Sequence, residues 1–537
     1  MKVSEITASG EGKTPLPTAD TAVKAVKAGR TNDVDIAAQI LSNYADEMDG
    51  DSWTIEEEKK LIRRIDWRLI PVVTVRSIIP ARINKLINFS KLFVCATLSG
   101  LDKTAIAAAA IYNIKTDLHL SGSQYSWIGS APFFGGLAFM GPSAYLLQKV
   151  PAVTHFSLNV FCWGVLEMCM AACTSFGGLF ACRFLLGGCE SLLIPAVTLV
   201  VSMWYRPEEQ PKRNSGFSTG GSLTQKSIIL NVVAPILNPF IAWVVGYYHG
   251  PFEAWKIIFL LIGRVTIVWA LVVYIVLPNN PLEARFLTNR EKYIVIQRKA
   301  ADNTGIESKA FKIEQVWEAF TDVKTWLIWF AIAALQVPNG GLTTFNTLII
   351  SGLGFGDFET SLLSMPTGAM STISGIALSY LAATTRRYRV AIVVISILLP
   401  LLGAVICYAL PRTDLAGQLV GLYTYWAPYV TLVSIYQANV AGHTKKIVLY
   451  AWFYIAWTTG NIIGPQTFRA DQAPEYTGGT IAMIVCYIVA MICIVIYGMV
   501  CHLDNKRRAE AIQNQLSADQ DWLELTDKEN SGFKYTT

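Results

Sequence analysis

The sequence predicts an all-α membrane protein with about twelve transmembrane helices in two six-helix bundles. Three observations carry that prediction. Hydrophobic residues make up 53% of the 537 residues and charged ones only 15%, against about 25% charged in an ordinary soluble domain. The apolar residues fall in long blocks, and about 20 such residues cross a bilayer as a helix. One long polar stretch divides the blocks into six and six. Backbone polar groups in lipid must be satisfied within the segment, so the blocks are read as helices.

Residues 1–52 are polar, rich in Ala, Thr, Lys and Asp, and lack the apolar region of a signal peptide. They read as a disordered cytosolic tail. Residues 53–68 read as an amphipathic helix: Ser52 or Thr54 can cap it, Glu56, Glu57 and Glu58 suit its positive end, and Leu61, Ile62, Ile65 and Leu69 recur at helical spacing. The N-terminal bundle, 69–277, holds blocks at 92–111, 124–147, 152–174, 177–203, 215–248 and 254–277. A charged central loop, 278–322, follows. The C-terminal bundle, 323–503, holds blocks at 324–351, 360–383, 388–410, 415–438, 446–467 and 478–502, and 504–537 is a second cytosolic tail. Paired halves around a site at mid-membrane are a common transporter plan.

Orientation follows from Lys and Arg in the short loops. With a cytosolic N-terminus, the inside loops hold nine: Lys149, Arg206, Lys212, Arg213, Arg386, Arg387, Arg389, Lys445 and Lys446. The outside loops hold four: Lys115, Lys256, Arg412 and Arg469. Both termini are therefore expected inside. The ten cysteines form no CxxC pair, and the five histidines lie near block ends without metal spacing. No cofactor, metal or nucleic-acid partner is expected. No Walker A loop is present, so ATP-driven transport has no engine.

Charged residues at membrane depth cost about 2.5–3.5 kcal/mol each on insertion scales and need a reason. The candidates are Asp102, Lys103, Glu167, Arg183, Glu190, Lys226 and Arg264. Arg183 and Glu190 share a helix face about 10 Å apart along the axis, too far to pair with each other. A buried carboxyl such as Asp102 or Glu190 can carry a proton. A cation such as Arg183 or Lys103 can grip a carboxylate. The other reading of such groups is an interhelical ion pair that sets register, and it is preferred for Glu167, Lys226 and Arg264. The second half offers amides instead: Gln336, Asn339 and Asn346, Gln437 and Asn439, and Asn461 and Gln466. Pro338-Asn339-Gly340-Gly341 is expected to break the seventh helix, and Gly460 with Gly464 to mark close helix packing.

Several stretches resemble the major facilitator superfamily and, within it, the fungal allantoate permease family of anion:cation symporters. They include Leu101-Asp102-Lys103-Thr104, Gln124-Tyr125-Ser126-Trp127, Arg183-Phe184-Leu185-Leu186-Gly187 with Glu190, Pro338-Asn339-Gly340-Gly341, Asn439-Val440-Ala441-Gly442-His443-Thr444-Lys445-Lys446 and Asn461-Ile462-Ile463-Gly464-Pro465-Gln466. The resemblance implies the major facilitator fold. It also implies a monomeric plasma-membrane importer that takes up a small organic anion with protons. Asp102 or Glu190 would then carry the proton, Lys103 or Arg183 would hold the anion, and Asn339, Asn346 and Gln466 would add neutral hydrogen bonds. A nutrient receptor that barely transports is the alternative.

Two segments depart from the family pattern. Residues 75–91 interrupt the first span with Arg76, Pro80, Arg82, Lys85 and Lys91, and residues 222–240 replace a glycine-rich run in the fifth. One or both are read as unspliced intron sequence or recent insertions; kept in the protein, they would disturb the first and fifth helices and leave the transporter inactive. Sequencing the transcript is expected to show the shorter message as the abundant one; a full-abundance message encoding both segments overturns the intron reading.

Overall fold

The computed structural model describes residues 91–191, 233–279, 312–384, 389–424 and 438–512, with 526–529, 533–536 and isolated positions beside them. Among these residues a helix occupies each of the twelve predicted blocks. They are α1 (Lys91–Ile111), α2 (Gln124–Lys149), α3 (Ala152–Met170), α4 (Phe176–Glu190), α5 (Val233–Gly246), α6 (Ala254–Val276), α7 (Val323–Ser351), α8 (Asp357–Thr384), α9 (Arg389–Ala409), α10 (Leu415–Tyr423), α11 (His443–Thr467) and α12 (Thr477–Ile512). Most of the amphipathic segment 53–68, the first departure up to residue 90, Lys226 and Gln437 lie outside the described residues.

Within the first bundle α2 packs on α4, α3 on α4 and α6, and α1 on α5 and α6. Within the second, α7 packs on α11 and α12, and α9 on α10 and α12. Five segments are long and apolar enough to cross a membrane by length and composition alone: Val153–Met170, Ala254–Ile275, Arg389–Ala409, Thr444–Thr467 and Thr477–Ala509. They carry apolar stripes that face outward, such as Leu261, Val265, Val268, Leu271 and Ile275 on α6. That spacing of three and four residues is one face of a helix. Two of the less apolar helices, α1 and α8, put polar side chains where they face other helices.

The seventh helix is not broken. α7 runs continuously through Pro338, against the expectation from Pro338-Asn339-Gly340-Gly341. Its glycines serve packing instead. A Cβ at Gly340 would lie 2.7 Å from the Asn461 backbone, and one at Gly464 would lie 2.6 Å from the Gly341 amide nitrogen. Small residues let helix backbones approach closely where lipid supplies no hydrophobic drive. A short helix, Ile313–Thr321, enters α7 through a 65° bend.

The bundles meet across α5–α8, α2–α11 and α1–α7. Polar contacts between them gather at the end opposite the central loop. Tyr125 on α2 donates to the Thr344 carbonyl of α7 at 2.8 Å, and Thr347 donates to the Ala107 carbonyl of α1. Ser130 on α2 donates to the Ile462 carbonyl at 2.9 Å and accepts from Gln466 at 3.2 Å, both on α11. Tyr247, just past α5, packs on Phe358 of α8 with centroids 4.8 Å apart. This end is closed.

Lys115, in the turn after α1, lies over the closure, 4.5 Å from the Tyr125 ring centroid and 5.8 Å from that of Phe345. Burial lowers its pKa to about 8, against about 10.4 in water. The closed arrangement therefore disfavours the ammonium. That penalty is full below about pH 8 and is lifted as pH rises toward about 10.4. Raising the pH from about 7 to about 9 is expected to populate the closed arrangement further. Spin labels at His119→Cys and Gly354→Cys read this as a larger short-distance fraction, and Lys115→Met removes the pH step.

Candidate functional site

Ionisable side chains collect inside the first bundle because three helices each contribute them. α1 supplies Ser99, Asp102, Lys103 and Thr104. On a helix, residues 99 and 103 share a face, while 102 turns about 100° from 103. α4 supplies Arg183 and Glu190 on one face, and α3 supplies Glu167. Asp102 and Arg183 are each 1% exposed and Glu167 is 0% exposed.

The groups sort into two sets. Glu190 accepts from Lys103 Nζ at 2.8 Å and from the Ser99 hydroxyl. This pair is the more open one, with side-chain exposures of 31% for Lys103 and 11% for Glu190. Lys103 also sits 5.6 Å from the Trp457 ring centroid on α11, so it faces the second bundle. Trp457 is held there by Phe133 in an edge contact and by Tyr454 in a stack, at 5.3 and 5.6 Å.

The second set is sealed. Arg183 Nη2 donates to the Asp102 carbonyl oxygen at 3.4 Å, and its Nε has no partner. The Asp102 and Glu167 carboxyls feel each other's charge, and Glu167 also feels Arg183 and Glu190. No oxygen of either carboxyl has a hydrogen-bond partner of ordinary geometry. Buried carboxyl oxygens without donors are costly.

Beside this cluster, between α1, α5, α7 and α8, lies a cavity of about 220 Å³. Thr104, Asn238, Asn339, Thr343 and Asn346 line one part of it; Ser361, Ser364, Thr367 and Ser371 on α8 line another. None of its described lining residues is charged. Asn238 is fully buried, and its amide nitrogen donates to Leu101 O at 3.1 Å and Thr104 Oγ1 at 2.6 Å. That leaves its Oδ1 without a partner, as are Asn346 Oδ1 and Thr367 Oγ1. Three unpaired polar atoms around one cavity, from α5, α7 and α8, suit a solute that brings hydrogen-bonding groups of its own.

The residues singled out from the sequence divide accordingly. Lys103 and Glu190 are brought together. Asp102 and Arg183 join Glu167 behind them. Asn339 and Asn346 line the cavity, with Asn339 Nδ2 fixed by Asn461 Oδ1 at 3.0 Å and Asn461 Nδ2 in turn reaching Gln336 at 3.1 Å. Gln466 lies at the closed end on Ser130, and Arg264 is exposed on α6. Sequence reasoning left out Asn238 because it falls in the irregular fifth block. It also passed over the α8 hydroxyls: Ser361, Ser364 and Ser371 fall with Gly368 on one helix face of small residues, and Thr367 lies next to them.

Comparison with known proteins agrees with this architecture. The profile of the Major Facilitator Superfamily matches residues 92–465. The MFS-type transporter cnsL of Penicillium expansum is 70% identical over 540 residues, covering 100% of each chain. The allantoate permease of Saccharomyces cerevisiae is 29% identical, with 90% of this chain and 87% of that one covered. The thiamine pathway transporter THI73 of the same yeast is 31% identical, covering 85% and 86%. A bacterial homologue of the human lysosomal transporter Spinster, inward-facing and unoccupied, superposes with a TM-score of 0.57 at 16% identity, covering 76% of this chain and 95% of that one; this likeness concerns the fold alone. The chain belongs to the major facilitator superfamily and is a multi-pass membrane transporter.

Proposed function

We propose that this transporter imports a small organic anion together with protons, across the plasma membrane, with both termini in the cytosol. The observation that carries the proposal is the Lys103–Glu190 pair, 2.8 Å apart and facing Trp457 of the other bundle. Three carboxyls, Asp102, Glu167 and Glu190, stand against two cations, Lys103 and Arg183. Asp102 and Glu167 face each other beside a single cation, so one proton stays on that pair and the resting cluster is neutral, with Lys103 tied to Glu190. Charges interact strongly at low dielectric, so one added proton changes that balance decisively. A proton on Glu190 releases Lys103 from its partner and leaves the cluster one positive charge. The freed ammonium can then take a carboxylate. Proton and anion thus bind together, because each removes the obstacle to the other.

The neutral cavity next to Thr104 would hold the rest of the solute through Asn238, Asn339 and Asn346. The resemblance to the yeast allantoate permease supports an organic anion as cargo. Arg183 balances the Asp102 and Glu167 carboxyls behind the site, and removing it would leave two buried carboxyls without their cation, which is strongly destabilising to the charged state.

A growth screen on single organic-acid nitrogen or vitamin sources, in a host lacking its own permeases, identifies the cargo. With that cargo, Lys103→Ala is expected to cut uptake at least about tenfold, the loss of one charged hydrogen-bond partner. Arg183→Ala is expected to abolish uptake while the protein still reaches the membrane. Glu190→Gln should retain cargo exchange yet lose acceleration by an inward proton gradient. Normal uptake by Arg183→Ala, or intact proton dependence in Glu190→Gln, overturns the respective role.

A further inference from the structure

The second bundle carries a binding site for a peptide at the end that bears the central loop, and we propose that its ligand is the chain's own residues 526–529 and 533–536, docked as a clasp. The site is built from four separate parts of the chain: the short helix Ile313–Thr321, the start of α7, the approach to α11 and the end of α12.

Two asparagines grip the segment's backbone. Asn505 Nδ2 donates to Tyr535 O at 2.8 Å, and Tyr535 N donates to Asn505 Oδ1 at 2.9 Å. Asn439 Nδ2 donates to Thr536 O at 2.9 Å, and Thr536 N donates to Asn439 Oδ1 at 2.7 Å. Each side-chain amide thus does for one residue what a neighbouring strand does in a sheet. Arg508 adds two more bonds to the segment's carbonyls, at Phe533 and Asp527, both 2.7 Å.

One acidic side chain is inserted. Asp527 is 1% exposed and accepts from Lys445 Nζ at 2.6 Å and from its own segment's Tyr535 hydroxyl at 2.8 Å. Lys445 also holds Glu318 of the short helix at 2.8 Å and Asp322 at 3.6 Å. Lys324 at the start of α7 sits 3.8 Å from the Tyr535 ring centroid and 3.0 Å from Asp504 of α12. A buried ammonium with one carboxylate removed is costly, so occupancy of the site and order of its walls are coupled. Gly442, at φ +90°, is required here: a Cβ would lie 3.1 Å from both Gln315 and Thr526.

Burial alone would raise the Asp527 pKa, but Lys445 and the Tyr535 hydroxyl outweigh it and hold the carboxyl below its usual range. Its contribution is therefore present above about pH 4 and lost only as pH falls further. The clasp is held at any ordinary cytosolic pH, and it fastens the 65° bend between the short helix and α7. In a rocking transporter such a fastening keeps the second bundle and the end of the central loop moving as one body.

The test uses the full-length protein in membranes. With Lys506→Cys and Lys534→Cys introduced, at exposed positions beside the hydrogen-bonded Asn505 and Tyr535, a bismaleimide is expected to join the two positions within one molecule, read as a product that survives cleavage at a protease site inserted among residues 513–525. Asp527→Ala is expected to lower that yield and, at equal membrane level, to lower uptake several-fold. Tyr535→Phe removes the hydroxyl's bonds to Asp527 and Arg508 while keeping the ring, and it is expected to lower both readings in parallel by a smaller factor. No cross-link in the otherwise unaltered protein, a product formed only between molecules, or a lost cross-link with unchanged uptake in either variant overturns the clasp.

Discussion

Charge buried in the first bundle must be balanced by charge, and the rest of the structure is arranged around that requirement. Asp102, Glu167 and Arg183 have almost no contact with solvent. At low dielectric an unbalanced group of this kind costs several kcal/mol even after relaxation. The bundle can hold these residues only because α1, α3 and α4 supply opposite signs to the same place. The cost of burial also keeps the arrangement sensitive: one proton, or one anion, changes the sum by a whole unit. A cluster whose groups lack full partners is a poor stabilising device, and its net charge answers to a single proton or ion.

The two bundles divide the work. The first brings the ionisable groups, and the second answers with neutral amides, hydroxyls and aromatic faces: Asn339, Asn346, Ser361, Ser364, Trp457. A cavity walled by neutral dipoles costs little to leave empty of charge, and its unpaired Asn238 and Asn346 oxygens wait for donors. The closure opposite the central loop is made of single hydrogen bonds to backbone carbonyls, from Tyr125, Thr347 and Ser130. Bonds of that type are individually modest. A seam built from them can part and re-form without disrupting either bundle's core.

The central-loop end of the second bundle uses charge differently. Lys324, Lys445 and Lys528 meet Glu318, Asp322, Asp504 and Asp527 in a network in which every carboxylate has a cation partner. Fully satisfied networks of this sort rigidify what they join. Fixed charge at one end of the molecule and adjustable charge in its middle are the same chemistry put to opposite uses, and the difference lies in whether every group has a partner.

The sequence by itself determined the helices, their number and their division six and six, because a lipid environment leaves a chain few choices and writes them as long apolar blocks. It also named Asp102, Lys103, Arg183 and Glu190, since charge inside such blocks stands out. Only the tertiary structure decided who meets whom. Glu167 reads from sequence as a register pair, yet it faces Asp102; Asp527 lies 82 residues from Lys445 and reads as tail. Pro338 and its glycines signal a broken helix locally, while the close approach of α11 keeps that helix whole. Partners far apart in the chain leave no periodic trace, because their energy comes from a contact that exists only after packing.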